Sequence, residues 1–248
     1  MGGIHRYDGS PAGLLTLLAS TVPRGIVPDE VCVALPPQQS LFEPVTVIDS
    51  DPELAESFRQ ELVRRLTPAS LGQLRLAWQG DHPGREMLIC RYLCHVWHEG
   101  AQAGAMLSHP HVAPFRQLAH RVGREAHRYL GFVRFRETSA GFFYALLSPD
   151  HRVLPLIAPH FAERFRDQHW ILHDLRHGEG VIHDRTRREW LLLPMEAGDD
   201  PELTAGEERM QALWRKYFTA LGIDERRNLT LQQGKVPLKV RPWLVEFD

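Results

Sequence analysis

Residues 132–148, FVRFRETSAGFFYALLS, decide how the chain is read. Here apolar and polar side chains alternate on both sides of Ala140-Gly141, the pattern of two half-buried strands joined by a tight turn. Just upstream, residues 112–130 keep a different period. Phe115, Leu118, Val122, Ala126 and Tyr129 fall on one face at about 100° per residue, which predicts a helix. The period therefore switches from helix to strand near residue 131.

Working outward toward the N-terminus, residues 4–7 read as a short strand. Ser10 is placed to cap a helix over Ala12–Thr21, with Pro11 at its first position. Val31–Leu35 and Val45–Ile48 read as strands. Asp51 caps a helix starting at Pro52, whose apolar face is Leu54, Phe58, Leu62 and Leu66, and further helices fit 68–77 and 83–99. Toward the C-terminus, Ser148-Pro149-Asp150-His151 is a turn and Val153–Ile157 resumes an apolar run. A helix is expected from about Pro159 to Asp167. Strands follow at Trp170–His173, Gly180–Asp184 and Glu189–Leu193, then an acidic surface linker over Glu196–Ala205 and a helix over Glu207–Leu221. The expected class is α+β, with a helix-rich N-terminal half, a central antiparallel or mixed sheet with a packed helix, and a C-terminal helix. Three regions, separate or within one continuous domain, are anticipated: 1–100, a central 101–195 carrying the main motifs, and 196–248.

With 248 residues, 43% hydrophobic and 24% charged, the chain can bury a sizeable core. No apolar run approaches about 18 residues, and the start MGGIHRYD is unlike a signal peptide, so a cytoplasmic location is expected. Three cysteines fit free thiols in a reducing compartment. The formal net charge of −2 gives no global attraction to nucleic acid, so any anion site must be local.

Such a patch lies on the 112–130 helix. Arg116, His120, Arg124 and Arg128 recur at i, i+4, with Arg121 beside them and Arg134 following, and Glu125 is the lone acid. Guanidinium forks at this density suit phosphate contacts, and lysine supplies only Lys216, Lys235 and Lys239 of the 29 basic residues. The plain alternative is a solvated face. A second group comprises His160 and Arg164 at i, i+4, the His173-Asp174 dipeptide ending a strand, and Glu137. These are candidate acid–base groups, or else hydrogen-bonding partners of nearby backbone. Phe161, Tyr144 or Trp170 could wall a pocket for an extruded base. Cys90, Cys94 and His98 fall at i, i+4, i+8. That span of about 12 Å is too long for one ion, so core packing is expected and no metal or cofactor is assigned.

Several motifs together resemble a bacterial family labelled as proteins of DNA metabolism. They are Tyr7-Asp8-Gly9-Ser10 with Gly13-Leu14-Leu15, the 132–137 strand, Tyr144-Ala145 with Pro149-Asp150-His151, and His160-Phe161 with Arg164-Phe165. Trp170–Asp174, Trp214-x-x-Tyr217-Phe218, and Ile223 with Arg226-x-Asn228 complete the set. The resemblance implies a companion of a radical-SAM protein of DNA modification or repair, with some relatives fused to a uracil-DNA glycosylase domain. It assigns no catalytic residues. The tail Val236–Trp243 departs from the family's pattern. The resulting expectation is an accessory DNA-binding protein working beside that radical-SAM partner. A stand-alone nuclease or glycosylase-like hydrolase and a purely structural assembly subunit are the alternatives.

Overall fold

The structure, a computed structural model, describes residues 3–33, 44–198, 200–221 and 228–247. It divides into two compact units, Met1–Gly123 and Arg124–Asp248, with the boundary inside one helix. The fold is α+β.

The first unit carries three short parallel strands, β1 (Ile4–Arg6), β2 (Glu30–Cys32) and β3 (Val45–Val47), in the order β2-β1-β3. Residues 34 and 35 of the anticipated second strand lie outside the described residues. Helix α1 (Pro11–Thr21) connects β1 to β2, as parallel pairing requires a crossover. Ser10 accepts the Gly13 N–H at 2.9 Å and Pro11 fills the first turn. Helix α2 (Pro52–Arg65) starts where Asp51 accepts the N–H groups of Glu53 and Leu54 at 3.0 Å. Its core face differs by one position from the expected one. Leu54 is 40% exposed, and Ala55 packs inward with Phe58 and Leu62. Helices α3 (Pro68–Trp78) and α4 (Arg85–Glu99) follow. Tyr92 of α4 stacks on Phe115 with ring centroids 3.7 Å apart, and Cys90 and Cys94 are buried free thiols.

Helix α5 (Ala113–Phe132) holds the unit boundary. Phe115, Leu118, Val122, Ala126 and Tyr129 are all buried, as their spacing requires.

The second unit is built on a five-stranded sheet ordered β4-β5-β6-β7-β8: Arg136–Glu137, Phe143–Leu147, Trp170–Asp174, Glu179–Asp184 and Glu189–Pro194. All neighbours are antiparallel except β5 and β6, which run parallel, Phe143 opposite Trp170 and Leu147 opposite Asp174. Helix α6 (Leu154–Arg164) makes that crossover. It begins five residues before the expected Pro159, which sits inside it. The reason is burial: Leu154, Ile157, Ala158 and Phe161 repeat at helical spacing in the core, which outweighs the hydrogen bond lost at the proline. The first expected hairpin strand is likewise shorter. The helix continues to Phe132, where that ring packs against Tyr129, and only Arg136–Glu137 pair with β5.

The acidic segment after β8 is a strap rather than a loose linker. Leu203 bridges Thr138, Ser139 N–H donates to Glu202 O at 2.8 Å, and Thr204 N–H donates to Glu137 O at 3.1 Å. Helices α7 (Ala205–Ala220) and α8 (Leu229–Lys235) follow. The divergent tail is part of the core, since Val240 and Leu244 are 2% and 1% exposed. Burying each such side chain stabilises the unit by about 1.5–3 kcal/mol. Among the described residues no helix is long and apolar enough to cross a membrane.

Candidate functional site

Strand alternation sorts the candidate residues of the second unit onto two sheet faces. Phe143, Trp170, Leu172, Asp174 and His183 share the face that packs on α6, and Tyr144, Ile171 and His173 lie on the other.

On the α6 face, where β5 and β6 begin, a cavity of about 700 Å³ opens. Phe135, Phe143, Phe161, Phe165 and Trp170 supply aromatic walls, and Arg134, Arg164 and Gln168 supply polar groups. The walls are fixed by contact. Phe135 is edge-on to Phe161 and Phe165, both at 5.4 Å, and tilted against Trp170 at 5.8 Å. Phe161 and Phe165 lie one turn apart with parallel rings at 6.2 Å. Trp170 is 1% exposed and stacks on His183 at 5.0 Å. Its indole N–H is buried without an acceptor among the described residues. A buried donor left so costs about 1–3 kcal/mol, so a ligand acceptor reaching it would recover that free energy.

The two arginines differ. Arg134 donates to the Gly131 carbonyl and to Glu246 Oε1, both at 2.7 Å. Burial pushes the Glu246 carboxyl up, but the hydrogen bond and charge of Arg134, helped by Trp214, bring it below its ordinary range. Arg164 is exposed, lies over the Phe165 ring at 5.6 Å and has no acid partner among the described residues.

The other end of the same strands is ionic. Asp174 is fully buried. Its Oδ1 accepts the N–H groups of Arg176 (3.0 Å) and His177 (3.2 Å), and its Oδ2 accepts from His177 Nδ1 at 2.6 Å. Asp150 pairs with Arg176 at 3.0 Å and with Lys239. Glu125, the lone acid of α5, accepts the N–H groups of Asp150 and His151 at 2.8 and 2.9 Å and pairs with Lys239. Burial raises the Tyr129 hydroxyl well above its usual range, reinforced by Glu125, Asp174 and Asp150.

The five acid–base candidates do not converge on one cavity. His173 accepts the Tyr144 hydroxyl on Nδ1 at 2.6 Å, and its Nε2 donates to the Met195 carbonyl at 3.3 Å, on the face away from Asp174. His160 is exposed, its ring edge-on to Phe161. Glu137 is exposed and accepts from Thr204 Oγ1 at 3.1 Å. Only Arg164 lines the aromatic cavity, together with Phe161 and Trp170; Tyr144 faces the other way. Phe135, Phe143, Phe165 and Gln168 completed the cavity without any local sequence signal except the i, i+4 spacing of Phe161 and Phe165. His177 was missed as the partner of Asp174, although the three-residue separation within a turn could have suggested it.

Of the basic residues on and after α5, Arg124 and Arg128 are exposed in the second unit without acid partners among the described residues, and Arg134 is the cavity residue already described. In the first unit, Arg116, His120 and Arg121 line a separate hollow of about 580 Å³ with Gln73 and Leu76. Arg116 there reaches the Gly104 carbonyl at 3.5 Å. The first unit also stacks His95 on His109 at 3.7 Å, with His111 edge-on to His109 at 5.2 Å. Burial, then the charge of His109, lowers both His95 and His111. Among the described residues no group of three His, Cys, Asp or Glu side chains is arranged to hold a metal ion.

The aromatic cavity and the Asp174 cluster both fall within residues 83–246, which match the model of the domain of unknown function DUF4130. The chain belongs to the DUF4130 family. No curated protein and no solved structure matches it. The DUF4130 match begins just before α4, so the three parallel strands of the first unit precede it.

Proposed function

We propose that the second unit binds nucleic acid by taking one unstacked base into the aromatic cavity, with arginines outside it holding phosphates. The observation that carries this reading is the combination of five aromatic walls with an unsatisfied Trp170 N–H and an Arg164 that has no acid partner among the described residues. Aromatic faces bind bases of any sequence, each contributing roughly 1–3 kcal/mol, and a planar base offers acceptors for the buried donor. Glu125 supports the reading too. Its carboxylate is engaged by Lys239 and by the backbone at 150–151, so Arg124 and Arg128 keep their charge for phosphate. In this role the protein is an accessory factor of DNA metabolism or repair, presenting a strand to the radical-SAM enzyme implied by the resemblance. Fluorescence anisotropy with a labelled single-stranded oligonucleotide tests it. Binding should be salt-dependent, stronger than to the intact duplex, and weakened by Phe135→Ala; equal affinity for both strand forms would reject the cavity as the base site.

One observation favours a second reading, a stand-alone hydrolase. Asp174 fixes His177 with Nδ1 as donor, the pairing of a base with an orienting carboxylate, and Nε2 is buried, so a substrate reaches it only after local opening. Strand cleavage or base release by the purified protein, lost in His177→Gln, would establish it.

A further inference from the structure

Strand β8 ends the sheet, and one of its edges has no strand beside it among the described residues. The Met195 N–H donates to the Gly178 carbonyl at 2.8 Å, which continues the β7–β8 register by one residue. Hydrogen-bonded pairs alternate along an antiparallel ladder, so the backbones of Glu189, Leu191 and Leu193 face β7. The N–H groups of Trp190 and Leu192 therefore point outward, with the carbonyls of residues 190, 192 and 194, and no backbone partner meets them among the described residues.

Soluble proteins guard such an edge with lysine, a bulge, an inner proline or a covering loop. The run Glu189-Trp190-Leu191-Leu192-Leu193-Pro194 has only a proline at its end, and Leu191 and Leu192 are 64% and 42% exposed. Charge supplies the occupant. Arg188 precedes the strand and Glu196 follows it, both exposed and without ion partners among the described residues. Antiparallel self-pairing centred on Leu192 sets Leu192 against Leu192 of the second copy. It also brings the turn residue Arg188, which at φ 57° ends the extended run, to the same end of the pair as Glu196 of that copy, twice by symmetry. The proline does no harm in this register, because each copy donates through Trp190 and Leu192 and accepts on residues 192 and 194.

We propose that β8 is a homodimer edge: a second copy of this chain adds its β8 antiparallel to the first, joining two five-stranded sheets across a two-fold axis. Sedimentation equilibrium of the full chain should give twice the monomer mass of 28.4 kDa. Leu192→Pro deletes an outward donor and leaves the β7 ladder intact, so it should give a monomer with an unchanged circular dichroism spectrum. Arg188→Glu and Glu196→Arg should each weaken association roughly tenfold, and the double variant should restore it. A wild type that stays monomeric overturns the proposal and leaves the edge to a strand of another protein. A dimer that survives folded Leu192→Pro also overturns it. If that variant does not fold, the charge swap decides, and failure of the double variant to restore association rejects the register.

Discussion

The two ends of strands β5 and β6 both carry charged side chains and treat them in opposite ways. At the C-terminal end, Asp174 accepts three hydrogen bonds, and Asp150, Arg176, Lys239 and Glu125 satisfy one another. At the N-terminal end, beside an aromatic hollow, the Trp170 N–H has no acceptor and the exposed Arg164 has no acid partner among the described residues. In open parallel sheets ligands sit beyond the C-terminal strand ends. Here that position is filled by ion pairs, and the hollow opens at the opposite end, because only one strand pair of this mixed sheet is parallel. Charge density alone therefore does not set the proposed site apart; an open aromatic hollow at one end and a closed ion-pair network at the other do.

The comparison can be broken most sharply at Asp174. Replacing it with Ala strands two backbone N–H groups and His177 in a fully buried place, and should cost about 3–5 kcal/mol in urea unfolding. A cost below 1 kcal/mol would mean that this end is not held together by its polar contacts. Next in size, Phe135→Ala should lower single-strand affinity roughly tenfold or more, through loss of one stacking wall. Because Phe135 also touches Phe161, Phe165 and Trp170, the variant's melting temperature must be read beside its affinity.

The Arg134–Glu246 pair, partly exposed on the arginine side, should contribute about 1 kcal/mol. The Glu246 carboxyl is held below its ordinary value of 4.5 in the folded state. Its contribution is therefore complete above that value and is lost as pH falls through the depressed folded value. Melting curves of wild type and Glu246→Gln should differ at neutral pH and converge in acid; a constant gap would remove the ion pair from the account. Smallest for stability is Arg164→Gln, which should leave melting unchanged yet make the slope of log affinity against log salt shallower by about one.

Much of the scaffold was legible because its signals are local. Ser10 and Asp51 announce their helices through short-range caps, and the α5 stripe from Phe115 to Tyr129 follows one period. The start of α6 was misread because a proline was weighed above four core residues at helical spacing. The hold on residues 202–204 could not be read, because the bridge to Thr138 joins positions far apart in sequence. The site was legible only in pieces. Phe161, Trp170 and Arg164 stood out in the sequence, but Phe143 reaches them through the parallel pairing of β5 with β6 and Phe135 through ring contacts, and adjacent His173 and Asp174 separate by strand alternation.

The strap over residues 202–204 has a consequence for growth. Strand β4 already has Leu203 and its neighbours hydrogen-bonded against it, so among the described residues β8 is the margin of this sheet left for a new strand. A sheet open at both margins could propagate head to tail into a fibre. One with a single free margin, paired isologously, consumes that margin in the first encounter and closes at two copies. Under the proposed pairing this short acidic stretch closes the second margin, and cutting it loose should yield assemblies larger than a pair.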